Sequence, residues 1–456
     1  MFPTEVPGHI LSKSTFMRGC QCVKSLWLHK YMPGEKDEVS ETQSAIFLRG
    51  TDVGALARDI FPGGVDASPV DAFHYQQSVL DTAAYIREGH TIIYEAAFQY
   101  EGVMAALDIL VKQNGKWYGY EVKSSTKLKD PFIQDAALEY YVITGSGIAL
   151  EDLYIVHLNN EYVRKGLLDL QQLFTRQSVK AEVISLQPVI QSKVEELKKV
   201  IQLNEMPAVV IGDHCNKPYT CDFYSFCRKD EQEVKEEEEE AIINKQTLRS
   251  FINQLEYPLY FMDFETYMLA VPEHDGHWPY RQVPFQYSVH KQMRANDPLE
   301  HYCFLAENNR DPCPEFVQSL VNTMGERGSV VIYNKAFENT RLNELREDYP
   351  QFAGAIENIQ SRMVDLMVPF RSRHYSLPAM QGSYSIKYVL PALVPELSYE
   401  GLSICNGADA SSAFYNLRFE ENQEKINETR KALLDYCELD TLAMVRILEN
   451  IRKVMV

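Results

Sequence analysis

The chain has 456 residues, 45% apolar and 24% charged, an ordinary globular composition with material for two or three cores. Asp and Glu number 64 against 45 Lys and Arg, a formal net charge of −19. That balance excludes a histone-like coat for nucleic acid and a polybasic membrane binder, but leaves room for a local basic groove. No apolar run approaches the ~18 residues of a membrane-spanning helix, and the opening MFPTEVPGHILSKST lacks the charged-then-apolar layout of a secretory signal. The expectation is a cytoplasmic protein whose nine cysteines are metal ligands or buried thiols rather than disulfides.

In chain order, HTIIYEAAFQ, VMAALDILVK and KWYGYEVKSS are predicted as consecutive strands of one sheet, followed by a helix from Pro131 to Ile143 that Gly145 closes. Asp230 to Glu240 then carry eight acids against one lysine, a solvated stretch that marks a boundary. Beyond it PLYFMDFET, VPFQYSVHK and HYCFLA read as three strands. A helix (Glu315 to Met324), the strand SVVIYN and a second helix (Phe337 to Asp348) follow, and the stretch from Gln423 to Val456 is helical. The predicted organisation is two mixed α/β domains, residues 1–229 and 251–456, joined by an acidic linker over 230–250.

In the first half Asp108 sits among apolar neighbours, and Glu121 and Lys123, two apart on a strand, share a face. A hairpin would bring Asp108 beside Glu121. Two carboxylates at that distance repel unless a cation sits between them, and Mg²⁺ or Mn²⁺ suits hard oxygen ligands. A surface salt bridge would use the same residues. The D…ExK pattern resembles the PD-(D/E)XK nucleases. That resemblance implies Glu95 as a further metal ligand and Gln134 and Tyr140 on the next helix as supporting residues of a RecB-like nuclease. The histidine that such nucleases often carry is replaced by Gly54, and His9, His29, His74 and His90 do not fit its pattern.

GDHCNKPYTCDFYSFC supplies Cys215, Cys221 and Cys227, and KSTFMRGCQCVKSLWL supplies Cys20 and Cys22 far upstream. One distant cysteine with a C-terminal cluster of three resembles the iron–sulfur RecB-like nucleases, such as AddB and the CRISPR-associated exonucleases. The resemblance implies a [4Fe–4S] cluster on Cys22, Cys215, Cys221 and Cys227 that staples the ends of the domain. Zinc also accepts four thiolates, and plain buried thiols need no metal. Lys13, Arg18, Lys24, Lys127 and Lys129 are candidates for a DNA-binding rim.

In the second half Asp263 and Glu265 share a strand face, Asn334, Phe337 and Glu338 run from a strand into a helix, and Tyr436 and Asp440 lie one helical turn apart. This order resembles the DEDD superfamily of RNase H-like 3′–5′ exonucleases in its tyrosine variety. It implies two divalent ions held by Asp263, Glu265 and Asp440, with Tyr436 orienting water. Glu338 stands where that family has aspartate, and Asp365 and Lys387 are supporting residues. Together the two halves resemble a bacterial family that fuses an iron–sulfur RecB-like nuclease to such an exonuclease.

The function expected is hydrolysis of phosphodiesters at two centres, on DNA single strands or ends, in repair, mobile-element biology or defence. The alternative is a nucleic-acid-binding or partner-binding module with degenerate sites. There is no G-x-x-x-x-G-K-[ST], so unwinding would need a separate helicase.

Overall fold

The computed structural model describes residues 8–37, 53–71, 74–229, 240–399 and 401–455. It is a mixed α/β structure in two compact units. One comprises the chain to Lys235 together with Ala270–Tyr280, and the other Glu236–Leu269 together with Arg281–Val456. Residues 270–280 therefore group with the first unit. Residues 230–239 of the expected linker lie outside the described residues. From there β8 (Ile242–Ile243) pairs with Tyr375–Ser376, and a helix over Lys245–Asn253 buries Leu248 and Phe251. Its start is fixed by Asn244, whose Oδ1 accepts from the Thr247 amide at 3.1 Å.

The first unit is built on a seven-stranded sheet: β1 (Leu11–Ser12), β2 (Val65–Asp66), β3 (Ile92–Tyr100), β4 (Val103–Gln113), β5 (Lys116–Lys123), β6 (Leu150–Leu158) and β7 (Phe174–Ser178). The order is β2-β3-β4-β5-β6-β7, with β1 parallel to the start of β4. Two tight turns set its central register. Glu101 and Gly102 have φ of 45° and 73°, and Asn114 and Gly115 have 52° and 81°. Left-handed conformation at both turn positions matches the right-handed twist of the strands, and Asn-Gly accepts it at low cost. Tyr94 then faces Ile109 and Ala96 faces Leu107, which sets Glu95 opposite Asp108. Ile109 faces Tyr120, which sets Asp108 opposite Glu121.

Helix α1 (Lys13–Gln21) begins at a capping box in which Ser12 and Thr15 bond each other's backbone amides, and α2 (Val23–Tyr31) follows. Helix α3 (Asp130–Gly145) has a proline in its first turn and buries Ala136, Ala137, Leu138, Val142 and Ile143 against the sheet. Asp135 and Glu139 lie in that same buried stretch. Helix α4 (Lys180–Ile201) packs on α3. A second cluster (Phe61, Ile109, Tyr120, Val156, Phe174) covers the other face of the sheet.

The second unit holds a five-stranded sheet whose strands lie in the order Leu299–Leu305, Val283–Gln292, Leu259–Tyr267, Val330–Ile332, Met363–Asp365. Its strands are β9 (Leu259–Tyr267), β10 (Val283–Gln292), β11 (Leu299–Leu305), β12 (Val330–Ile332) and β13 (Met363–Asp365). β9, β10 and β11 form an antiparallel meander, and β12 and β13 run parallel to β9. Helix α5 (Lys335–Asp348) leaves β12 through Asn334, whose φ of 78° is one that asparagine tolerates better than most residues. The 33-residue helix α6 (Gln423–Met455) crosses β9 and β10. Among its buried positions, Leu433, Tyr436, Cys437, Asp440, Thr441, Met444, Leu448 and Ile451 follow one stripe at three- and four-residue spacing, which Ala443, Val445 and Ile447 widen. That stripe carries two of the expected functional residues to the middle of the sheet.

Candidate functional site

In the first unit, Glu95, Asp108, Glu121 and Lys123 come together, and three residues join them that the motif reading did not place there. Lys13 Nζ donates to Glu121 Oε1 at 2.8 Å and to Glu139 Oε1 at 2.6 Å. Lys123 Nζ donates to Glu121 Oε1 at 2.7 Å and also to Asp135. Carboxylate oxygens of Glu121, Asp135 and Glu139 lie within 4.8 Å of one another. Asp108 Oδ2 accepts from the Val122 amide at 2.5 Å, and Glu95 is paired to Arg58 at 3.1 Å. Glu95 holds φ 52° inside a strand, a strained backbone position beside the acid cluster.

The charges in this site largely compensate each other. Burial alone would raise Glu121, but Lys123 and Lys13 outweigh it and hold the carboxyl well below its ordinary range. Burial and the neighbouring Glu121 push Asp108 and Glu139 well up. Both lysines are raised despite burial, because the acids around them favour the ammonium form. Lys13 is thus inside the site rather than on a DNA-binding rim. Gln134 is exposed and Tyr140 is half-buried against the core. No heavy atom comes within 4 Å of where a Cβ on Gly54 would stand. Asp135 and Glu139, four apart on an otherwise apolar helix face, were a visible signal. Lys13, 108 residues from Glu121, had none.

The cysteine segment packs against α1 and α2. Cys22, Cys215, Cys221 and Cys227 line one small cavity with Lys24, Ser25, Leu28 and His214. Cys20 does not line it; its thiol, beside Lys193 and Glu196, is pushed to about 11, chiefly by burial. Polar contacts hold the two distant segments together around the thiols. Arg18 and Asp222 form a double hydrogen bond, and Gln21 Nε2 donates to the carbonyls of His214 and Tyr219 at 2.8 and 2.7 Å. Arg18 and Lys24 are committed to this region. Lys127 and Lys129 remain exposed.

The second unit gathers Asp263 and Glu265 from β9, Glu338 from α5 and Asp440 from α6. Burial, together with the mutual repulsion of Asp263, Glu265 and Asp440, pushes Asp263 and Glu265 far up. Asp440 is pushed to about 6 and Glu338 to about 8, both chiefly by burial. Glu338 Oε2 is buried and has no hydrogen-bond partner among the described residues. Tyr399 donates to Asp440 Oδ1 at 2.6 Å, and Tyr436 bonds the same carboxyl. Lys387 donates to the Cys405 carbonyl at 2.6 Å, and its charge reaches Glu265 and Asp440. Asp365 stands one step back, where its Oδ1 accepts the amides of Asn334 and Met367 at 3.1 and 3.0 Å and fixes the chain leaving β12.

Tyr399 and Cys437 were not foreseen. Sγ of Cys437 lies with oxygens of Asp263 and Glu265 inside 4.8 Å. Its position three residues before Asp440 on one helix face was the available signal; Tyr399 had no local one. A Cβ on Gly407 would come 3.3 Å from Glu265 Oε2, so the glycine leaves that carboxylate room. Buried like charges of this kind are costly without cations between them. The first unit supplies lysines for that purpose, whereas the second has one lysine within reach of the cluster and Arg341 beside Glu338.

Residues 260–385 match the family model described as domain of unknown function (DUF2779). The matched stretch holds Asp263, Glu265, Asn334, Glu338 and Asp365 and ends before Lys387, Tyr436 and Asp440. The chain is 26% identical over 218 residues to "Uncharacterized protein UU173" of Ureaplasma parvum, covering 43% of this chain and 31% of that one. It is 26% identical over 228 residues to "Uncharacterized protein MG366 homolog" of Mycoplasma pneumoniae, covering 45% and 34%. These matches span about a third of the length of either relative. Among the described residues, no helix is long and apolar enough to cross a membrane.

Proposed function

We propose that the protein is a metal-dependent nuclease that hydrolyses phosphodiesters, on DNA single strands or ends, with its stronger centre in the second unit. The carrying observation is the set of four acids, buried Glu265, Glu338 and Asp440 and half-buried Asp263, all pushed toward protonation. Their oxygens are hard donors suited to Mg²⁺ or Mn²⁺. Their placement on a central strand, the helix after β12 and the last helix is what a DEDD-type RNase H-like exonuclease requires.

Divalent ions held there would neutralise charge on the phosphate and acidify a water molecule. The chain's own groups have narrower tasks. Asp263, Glu265 and Asp440 would bind the ions. Tyr436 stays protonated, since burial and the adjacent acids push its phenol up, so it can hold an attacking water by hydrogen bonding but not act as a base. Lys387 offsets negative charge at the rim of the cluster. In the first unit the corresponding set is Asp108, Glu121 and Lys123, with Glu95 behind them. Lys123 remains an ammonium ion and would stabilise charge rather than accept a proton. The lysine-neutralised state of that centre favours a second reading for this half, a PD-(D/E)XK-like module that binds nucleic acid or a partner protein without cutting.

End-labelled DNA and RNA, incubated with Mg²⁺ or Mn²⁺, test the proposal. Lys123→Ala and Asp263→Ala together should remove cleavage, and each alone should show how much its centre supplies. Undiminished cleavage by the double variant would refute it.

We also assign a [4Fe–4S] cluster to Cys22, Cys215, Cys221 and Cys227. All four thiols line one small cavity, which Cys20 does not, and this convergence of four soft ligands supports the assignment. Full-length protein purified without oxygen should be brown and contain iron and sulfide in equal amounts. Cys22→Ser should lose most of the iron and Cys20→Ser should keep it. Colourless protein with zinc would refute the assignment.

A further inference from the structure

His290 and His301 face each other directly across β10 and β11, and Glu438 comes from the turn of α6 that also carries Asp440. One ring nitrogen of each histidine and a carboxylate oxygen of Glu438 lie within 4.8 Å of one another. His301 Nδ1 is 3.7 Å from Glu438 Oε1. The motif reading of the sequence uses none of the three.

The hydrogen bonds behind these side chains fix which ring nitrogens are free. Thr441 Oγ1 donates its one proton to the Glu438 carbonyl at 3.1 Å. It can therefore only accept from His290 Nδ1 at 2.8 Å and from Ser288 Oγ at 2.7 Å. Ser288, its proton spent on Thr441, can only accept from His301 Nε2 at 2.9 Å. The one proton arrangement that makes hydrogen bonds of all four contacts leaves His290 Nε2 and His301 Nδ1 as bare lone pairs. Burial, with His301 and Arg446 nearby, pushes His290 down to about 4, so it stays uncharged near neutral pH. Ring nitrogens oriented by hydrogen bonds on their far side are the usual support of metal-binding histidines.

We propose that His290, His301 and Glu438 form a binding site for a borderline transition-metal cation, Zn²⁺ in the first instance, distinct from the carboxylate cluster. Two imidazoles and a carboxylate favour zinc over magnesium, and three protein ligands leave a fourth position for water. The ion would tie β10 and β11 to the turn of α6 that bears Asp440. The site does not depend on the protein being a nuclease.

The test is titration of the metal-free full-length chain with Zn²⁺, and separately with Co²⁺, in excess Mg²⁺. Glu438→Gln and His301→Ala each remove one ligand; both side chains are partly exposed, and glutamine keeps the shape of glutamate. Wild type should bind one more equivalent of Zn²⁺ than either variant, or bind it at least tenfold more tightly. Cobalt should give visible d–d bands that both variants lose and Asp263→Asn keeps. Equal stoichiometry, affinity and cobalt spectra in wild type and Glu438→Gln would overturn the proposal. Loss of the bands in Asp263→Asn with retention in both site variants would assign the ion to the carboxylates and overturn it equally.

Discussion

Asp263→Asn should lower Mn²⁺-dependent cleavage at the second centre by about 10³-fold, the scale of several kcal/mol of transition-state charge stabilisation. The same substitution should raise the thermal midpoint of the metal-free protein. Both effects come from one cause: Asp263 is half-buried with Asp440, Glu265 and Glu338 around it, so its charge helps to hold a cation and is a burden without one. The pH dependence carries the sign of this strain. Asp440 moves from an ordinary 3.8 to about 6 and Glu338 from 4.5 to about 8. For an acid whose folded pKa lies above its unfolded value, the native state holds more protons across that window, so these groups cost stability as pH rises from about 4 through about 8. Above that range the cost is constant. Metal binding displaces the same protons and should therefore strengthen over the same window. Thermal midpoints with chelator and with Mn²⁺, at pH 5 to 8, for wild type and Asp263→Asn, check this. A wild-type-minus-variant difference that does not change with pH, with Mn²⁺ or without, would show that the acids are not coupled in this way.

Local rules made much of this structure legible. Strand alternation and helical stripes located β3 to β5, β9 to β11 and α6, and the two-residue spacing of Asp263 and Glu265 put both on one strand that the fold places in the centre of a sheet. The four-residue spacing of Tyr436 and Asp440 worked for the same reason, since both lie in the buried stripe of α6. Residues that meet only through the fold were not legible. Lys13 reaches Glu121 because β1 lies beside β4 and α1 starts there. Tyr399 reaches Asp440 from a segment without its own periodicity. His290 and His301 are neighbours only through the β10–β11 register, which a sequence fixes by loop length and bulges rather than by any motif. Gln134 shows the opposite case: its residue type fits the resemblance, but its position on α3 is exposed while Asp135 and Glu139 are buried.

Lys13→Met should be the most damaging single change in the first unit, costing about 3–5 kcal/mol, the range for removing one partner of a buried ion pair. Its ammonium contacts Glu121 and Glu139 at 2.8 and 2.6 Å, and these side chains are 2% and 0% exposed. Without Lys13, Lys123 alone would face Glu121 and Asp135, and Glu139, already pushed up by burial and by Glu121, would be driven further toward its protonated form. Glu139→Gln in the same chain removes the second acid that crowds Glu121 and should return a large part of the loss. The double-mutant cycle, read by urea unfolding, therefore gives a coupling of more than about 1 kcal/mol. A contribution from Glu121 follows with definite sign. The two lysines hold its folded pKa below the unfolded value, so its stabilisation is present above about 4.5 and lost as pH falls below that. Lys13→Met should flatten this acid limb. Mn²⁺ discriminates between the two readings of the half. If the lysine merely stands where a cation can go, Mn²⁺ should restore stability to the variant more than it stabilises wild type. If the first unit is a lysine-sealed binding module, Mn²⁺ should leave both unchanged. A change below about 1 kcal/mol on Lys13→Met would show that the buried acids are neutral without their lysine, and the ion-pair account of this centre would fall.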